Sequence, residues 1–269
     1  GLPAPTLADG AVINLGVSYA LPAKYPTLGQ VKVPEPVQFT LSSGMRVYLL
    51  EDHELPLVSG SALIRTGNLF DPSDKRGLAD FTAAVLRSGG TKSKSGDQWD
   101  EELENIAASV ESGMGETSAS VSFSGLKEST AAVLAAFKEF LTEPEFRQDR
   151  LDLAITQARS GIARRNDDAD GIPDRELASI LYGRDNPYGW QLEYEHLNNI
   201  KREDLIAFYQ RYYFPKNIIL SVYGDFDAAS MRTQLETLLG GWKVERPAVP
   251  AFPAVTAKPS AGVYLGEKA

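Results

Sequence analysis

The sequence predicts an α+β fold, a mixed or antiparallel sheet with helices packed on one face. Three observations point to it. Strand-like segments come in hairpin-like groups. Helix-like segments of 3.6-residue period lie between those groups. Turn chemistry rich in Gly, Pro and Ser marks the boundaries. The pattern does not suggest a doubly wound parallel sheet.

The elements follow in order. VQFTL (37–41) and MRVYLLED (45–52) flank a Ser-Ser-Gly turn and read as a hairpin. LVSGSALIRTG (57–67) reads as a third strand, with small and apolar residues in sequence. GLADFTAAVLRSGG (77–90) reads as a helix closed by glycines. DQWDEELENIAAS (97–109) reads as a second helix, with Asp97 as its N-cap and acids in its first turns. GMGE (113–116) reads as a glycine-rich turn, and ETSASVSFSGL (116–126) alternates as a strand. Helices are expected over 128–141, about 145–166, about 172–182, 201–213 and 228–239, with a strand over 217–225.

Two Pro-rich tracts flank this body. Residues 1–36 hold six prolines and read as an extension or linker, and four more fall in 247–259. The domain is expected over 37–245. Residues 246–269 read as a linker, and SAGVYLGEKA at its end as the opening strand of a second domain.

Composition narrows the function. The chain has 269 residues, 43% of them hydrophobic, and a formal net charge of -9. An acidic surface repels nucleic acid and anionic membrane, so neither is expected as a partner. It is compatible with basic peptides. The absence of cysteine removes disulfides, thiolate zinc sites and cysteine nucleophiles. No apolar run approaches the roughly 20 residues that span a bilayer. There is no G-x-S-x-G elbow, no P-loop and no dinucleotide-binding glycine motif in a strand-to-helix setting. The acidic stretch N-D-D-A-D-G (166–171) lacks the spacing of a calcium loop and reads as a helix end followed by a turn.

Several blocks recur in one order. They are L-x-x-G-M-R-V-Y-L-L (41–50), R-T-G (65–67), R-G-L-A-D-F (76–81), L-Y-G-R-D-N-P-Y-G (181–189), I-K-R-E-D-L-I-A-F-Y-Q-R-Y-Y-F-P-K-N (200–217) and G-D-F-D (224–227). In order and spacing they resemble the insulinase/pitrilysin-type zinc metallopeptidases. That family includes the processing-peptidase subunits and the core proteins of the cytochrome bc complex.

The resemblance implies a metallopeptidase-like half-domain and a place to look for zinc. The family signature is an inverted motif, H-x-x-E-H, on the first helix. Two His at i and i+4 share a helix face and bind zinc, and the Glu acts as base on the zinc-bound water. Here the frame reads D-F-T-A-A. Asp80 stands at the first His, Ala83 at the Glu and Ala84 at the second His. The third ligand, a Glu from a later helix, falls near Gly161, and no Asp or Glu occurs from Leu153 through Asn166. Asp80 alone cannot make a zinc site. It reads as a polar first-turn residue, with Lys75 or Arg76 as possible ion partners. The chain's two histidines, His53 and His196, lie in separate segments, the second just before a helix, and read as exposed or hydrogen-bonding.

No catalytic residue, cofactor or metal is therefore expected in this chain, and it should not cleave peptides by itself. The resemblance implies a non-catalytic domain or subunit of a bacterial insulinase-like peptidase. Zinc would reside in an active homologous partner, and the two would enclose an unfolded peptide. In two-subunit members the zinc-less subunit supplies an Arg and a Tyr from its second domain. The exposed sheet edge could take a peptide by strand addition. Among the aromatics Phe208, Tyr209, Tyr212, Tyr213 and Phe214, one or two could touch peptide, the rest being core. The second reading is a purely structural assembly subunit, as in the bc complex. A third, new chemistry at the old cleft, needs convergent titratable groups, of which only Asp80 is placed. A periplasmic or other extracytoplasmic location is expected from the bacterial members.

Overall fold

Alternating burial along the strands builds one face that is apolar and one that is not. In the computed structural model, which describes residues 34–167 and 171–264, six strands form a single sheet. They are β1 (Val37–Thr40), β2 (Arg46–Glu51), β3 (Leu57–Ile64), β4 (Ser109–Met114), β5 (Ala119–Leu126) and β6 (Ile218–Gly224). The order is β1-β2-β6-β3-β5-β4, with β2 and β6 parallel and every other pair antiparallel. The sheet is mixed because the last strand returns to its centre, between β2 and β3.

Val47, Leu49, Val58, Ala62, Ile64, Val121, Phe123, Leu220 and Val222 are buried and share one face. The helices cover that face. They are α1 (Leu78–Ser88), α2 (Gly96–Asn105), α3 (Thr130–Thr142), α4 (Gln148–Arg164), α5 (Gly171–Tyr182), α6 (Tyr194–Asn199), α7 (Arg202–Tyr212) and α8 (Ala228–Leu239). Helix α1 packs on β4, α7 and α4, and α3 packs on β5. The opposite face presents Ser59, Ser61, Ser120, Ser122, Ser124 and Ser221 in register.

Several details differ from the sequence reading. Strand β4 has no counterpart in the sequence reading, which carries the second helix through Ser109 and takes 113–116 as a turn, because Ser-Val-Glu-Ser-Gly-Met carries little apolar alternation. Gly113 and Met114 belong to the strand, and only Gly115 and Glu116 to the turn. Helix α2 ends at Asn105, and its N-cap is Ser95 rather than Asp97. Ser95 and Gln98 form a reciprocal capping box, while Asp97 pairs with Arg150. His196 lies within the short helix α6, not before a helix. The aromatic run is all packed inward: Phe208, Tyr212, Tyr213 and Phe214 are buried, and Tyr209 is half-buried with its hydroxyl donating to Leu141 O. None is open to a peptide.

The Pro-rich stretch 1–36 lies outside the described residues except for 34–36, and so do Asp168, Ala169 and Asp170 of the acidic stretch. Residues 243–264 form no helix or strand, so the described part of the expected opening strand, 260–264, is not one. The tail is nevertheless tied to the body. Arg211 donates to Pro247 O and Ala248 O, Arg65 donates to Val249 O, and the Phe252 ring packs tilted against Phe70.

Candidate functional site

The first helix opens without a capping side chain of its own. Gly77 occupies the N-cap in the left-handed region, φ 91°, where glycine is the tolerated residue. The cap comes from Asp71. Its carboxylate accepts the Gly77 amide at 2.7 Å and the Ala79 amide at 2.9 Å. Burial pushes the Asp71 carboxyl up to about 7, against the pull of those amides, and the charge of Asp80 adds to the rise.

Asp80 follows on the first turn of α1. Asn68 Nδ2 donates to its Oδ2 at 3.0 Å. The residue is open to solvent on one side, while the protein around its carboxyl end raises its pKa and the Asn68 bond opposes the rise. It pairs with neither expected cation. Lys75 Nζ bonds Asp204 at 2.6 Å, and Arg76 lies over the Trp190 ring, 4.8 Å from its centre. Asp80 instead lines a cleft of about 170 Å³ with Asn68, Asp71, Glu116, Tyr188 and Trp190.

The other three frame positions carry no donor atom. Ala83 is buried, its methyl in the core, and Ala84 is exposed. Gly161 lies on α4, which packs against α1, and a Cβ there would meet nothing within 4 Å. One hard oxygen, two methyls and a bare backbone do not fit a zinc ion, which takes three protein ligands in catalytic sites. Among the described residues no group of three or more His, Cys, Asp or Glu could hold a metal ion.

Asp71 is the cleft residue that sequence reasoning missed. The signal was available: Arg-Gly-Leu opens a helix with no Ser, Thr, Asp or Asn at the cap, which requires a remote one. Both its oxygens are engaged by backbone amides. The pair Asp71 and Asp80 is thus a helix cap beside a surface acid, with no nucleophile within it. Tyr188, Trp190 and Glu116 come from distant loops, so their convergence was not legible.

The histidines are far apart in role. His53 is exposed, with Nδ1 2.5 Å from Asp225 Oδ1, and that bond raises its pKa. His196 is buried; its Nδ1 accepts the Glu193 amide at 3.0 Å, and burial lowers its pKa.

Beside the cleft, β4 forms one edge of the sheet. The Gly115 amide donates to Ser118 O, which sets the phase of the β4–β5 ladder. Ser112 and Met114 then turn their backbone groups away from β5, while Val110 O receives Arg87 Nε. Gly67 locks the end of this edge. Asn68 and Leu69 donate to Gly115 O and Glu116 O, and a Cβ at Gly67 would sit 2.1 Å from Glu116 O.

Comparison with known proteins agrees with this fold. The family model for insulinase, peptidase family M16, matches residues 46–192, and that for the peptidase M16 inactive domain matches 199–268. Three solved structures share the fold. A peptidase M16 inactive domain from Pseudomonas fluorescens aligns with TM-score 0.75 and 22% identity over 82% of this chain and 54% of its own. The first half of the periplasmic protease PqqL from Escherichia coli aligns at 0.71 and 20%, over 83% and 50%. A protease from Helicobacter pylori aligns at 0.71 and 18%, over 84% and 54%. The chain therefore spans about half the length of these structures. No curated protein matches it.

Proposed function

The chain belongs to the insulinase family of peptidases, M16, and from that premise we propose that it is a non-catalytic domain of a bacterial insulinase-like peptidase. The carrying observation is the helix frame Asp80, Ala83, Ala84 with Gly161 on α4, which offers zinc a single carboxylate and no base. In this reading the zinc sits in a homologous partner, as a second domain or a subunit. This domain supports that partner and helps enclose an unfolded peptide.

The outward backbone groups of Ser112 and Met114 on β4 would pair with such a peptide, giving affinity without sequence demands. The half-length match to the solved structures supports a homologous companion domain. A periplasmic location is the reading that the Escherichia coli structure's description suggests; no helix among the described residues is long and apolar enough to cross a membrane.

Affinity purification of the chain from its own cells tests the proposal. Stoichiometric recovery of a zinc-bearing homologue is expected, with chelator-sensitive peptide hydrolysis that the isolated chain lacks. Recovery of a membrane assembly without any zinc-bearing homologue would favour the structural reading and overturn this one.

A further inference from the structure

A second cleft, of about 510 Å³, opens on the sheet face opposite the one that the helices cover. Its chemistry runs against the acidic whole. Three cations line it: Arg46 at the start of β2, Arg65 just past β3, and Lys216 just before β6. The sheet order brings these strands side by side, which is why three separate segments deliver charge to one place.

The three differ in what they already hold. Arg46 is exposed, and its side chain has no hydrogen-bond, ion-pair or ring partner among the described residues. Arg65 is fixed in place. Its Nη1 donates to Val249 O at 3.1 Å and its guanidinium lies 4.9 Å over the Phe252 ring, leaving other N–H groups to donate. Lys216 Nζ holds the Glu245 carboxylate at 2.7 Å on the exposed rim. The Thr117 and Ser118 side chains complete the polar wall. The floor is apolar, made by Leu63, Ile219 and Phe252.

Two guanidinium groups, one held and one unpaired, suit an oxyanion, and the planar fork suits a carboxylate above all. The floor adds room for an apolar side chain next to that carboxylate. Thr117 and Ser118 belong to the turn between β4 and β5 and line the cleft beside the three cations. We propose that the Arg46–Arg65 cleft binds a peptide carboxylate, terminal or side-chain, whose neighbouring apolar side chain lies on Leu63, Ile219 and Phe252. The proposal rests on the peptide-holding reading and names the kind of peptide held.

Nitrogen-15 NMR of the arginine Nε–H signals of the chain tests it directly. The probes are acetyl-Leu-Leu with a free C-terminus, its C-terminal amide, acetyl-Leu-Glu-amide and inorganic phosphate. The Arg46 and Arg65 signals should move with one or both carboxylate peptides and stay with the amide. Which carboxylate moves them identifies the source. Arg46→Ala should weaken that binding roughly tenfold, the loss of one charge-assisted bond. Arg46 is exposed, so the variant should fold, which circular dichroism checks. Equal response to the amide, no response at all, or an equal response to phosphate would overturn the assignment. Because the probes are short and the chain is alone, a negative result here beside recovery of a zinc-bearing homologue would leave the broader reading standing.

Discussion

The Asp71 carboxylate caps the first helix from six residues upstream, with its Oδ2 2.7 Å from the Gly77 amide nitrogen. The bond brings an acid into a buried position at the mouth of the degenerate site, where burial holds its pKa near 7. A carboxyl whose folded pKa exceeds its unfolded value stabilises the fold in its protonated form. That contribution is whole below pH 3.8 and is lost as pH rises through about 7. Unfolding free energy should therefore decline from pH 5 to pH 8, by at most roughly 3 kcal/mol from this group. Denaturant titrations of the parent and Asp71→Asn should differ in that slope. Identical slopes would mean that Asp71 is ionised throughout.

The Gly67–Glu116 approach should be as sensitive. Gly67→Ala places a methyl 2.1 Å from Glu116 O and strains a backbone at φ 141°. A loss of roughly 2–4 kcal/mol is expected. Amide exchange should rise most at the β4 end, since the Gly115 and Glu116 carbonyls lose their contacts with 68–69. A midpoint of denaturation equal to the parent's would contradict the packing described.

The two histidines give two separable proton NMR titrations. His53 should titrate above 6.5 because Asp225 holds its protonated form, and His196 below 6.5 because it is buried. Asp225→Asn should bring His53 down and leave His196 alone. The reverse order of the two would show that the pairing is misassigned.

Much of this was legible in the sequence because it rests on local patterns. Val121 and Phe123 alternate with serines, and Val47 through Leu50 form a β-prone run after a Ser-Ser-Gly turn, so both announce their strands. The helices over 130–142 and 228–239 show their apolar stripes. What stayed hidden depends on contacts between distant segments. Strand β4 is defined by its ladder to β5, since Glu111, Ser112 and Gly113 carry no apolar signal of their own. The return of β6 between β2 and β3 is likewise a tertiary choice. At the site, Asp80, Ala83, Ala84 and Gly161 could be placed by resemblance, while Asp71 and Trp190 converge only when the chain folds.

The frame itself can be tested by rebuilding it. Asp80→His with Ala84→His places two imidazoles on one face of α1, and Gly161→Glu projects into open space. The triple variant should bind zinc that the parent does not, measured by calorimetry. Failure of the folded variant to bind would show that Gly161 is not opposite the motif. Ala83→Glu should be the costly change, since it buries a carboxylate at a core position.

The most direct measurement is calorimetric titration of the unaltered chain with zinc, after dialysis against a chelator and removal of the chelator. No saturable binding at micromolar zinc and no metal-dependent peptide hydrolysis are expected. One equivalent of tightly held zinc, retained through dialysis and accompanied by hydrolysis that a chelator stops, would contradict it.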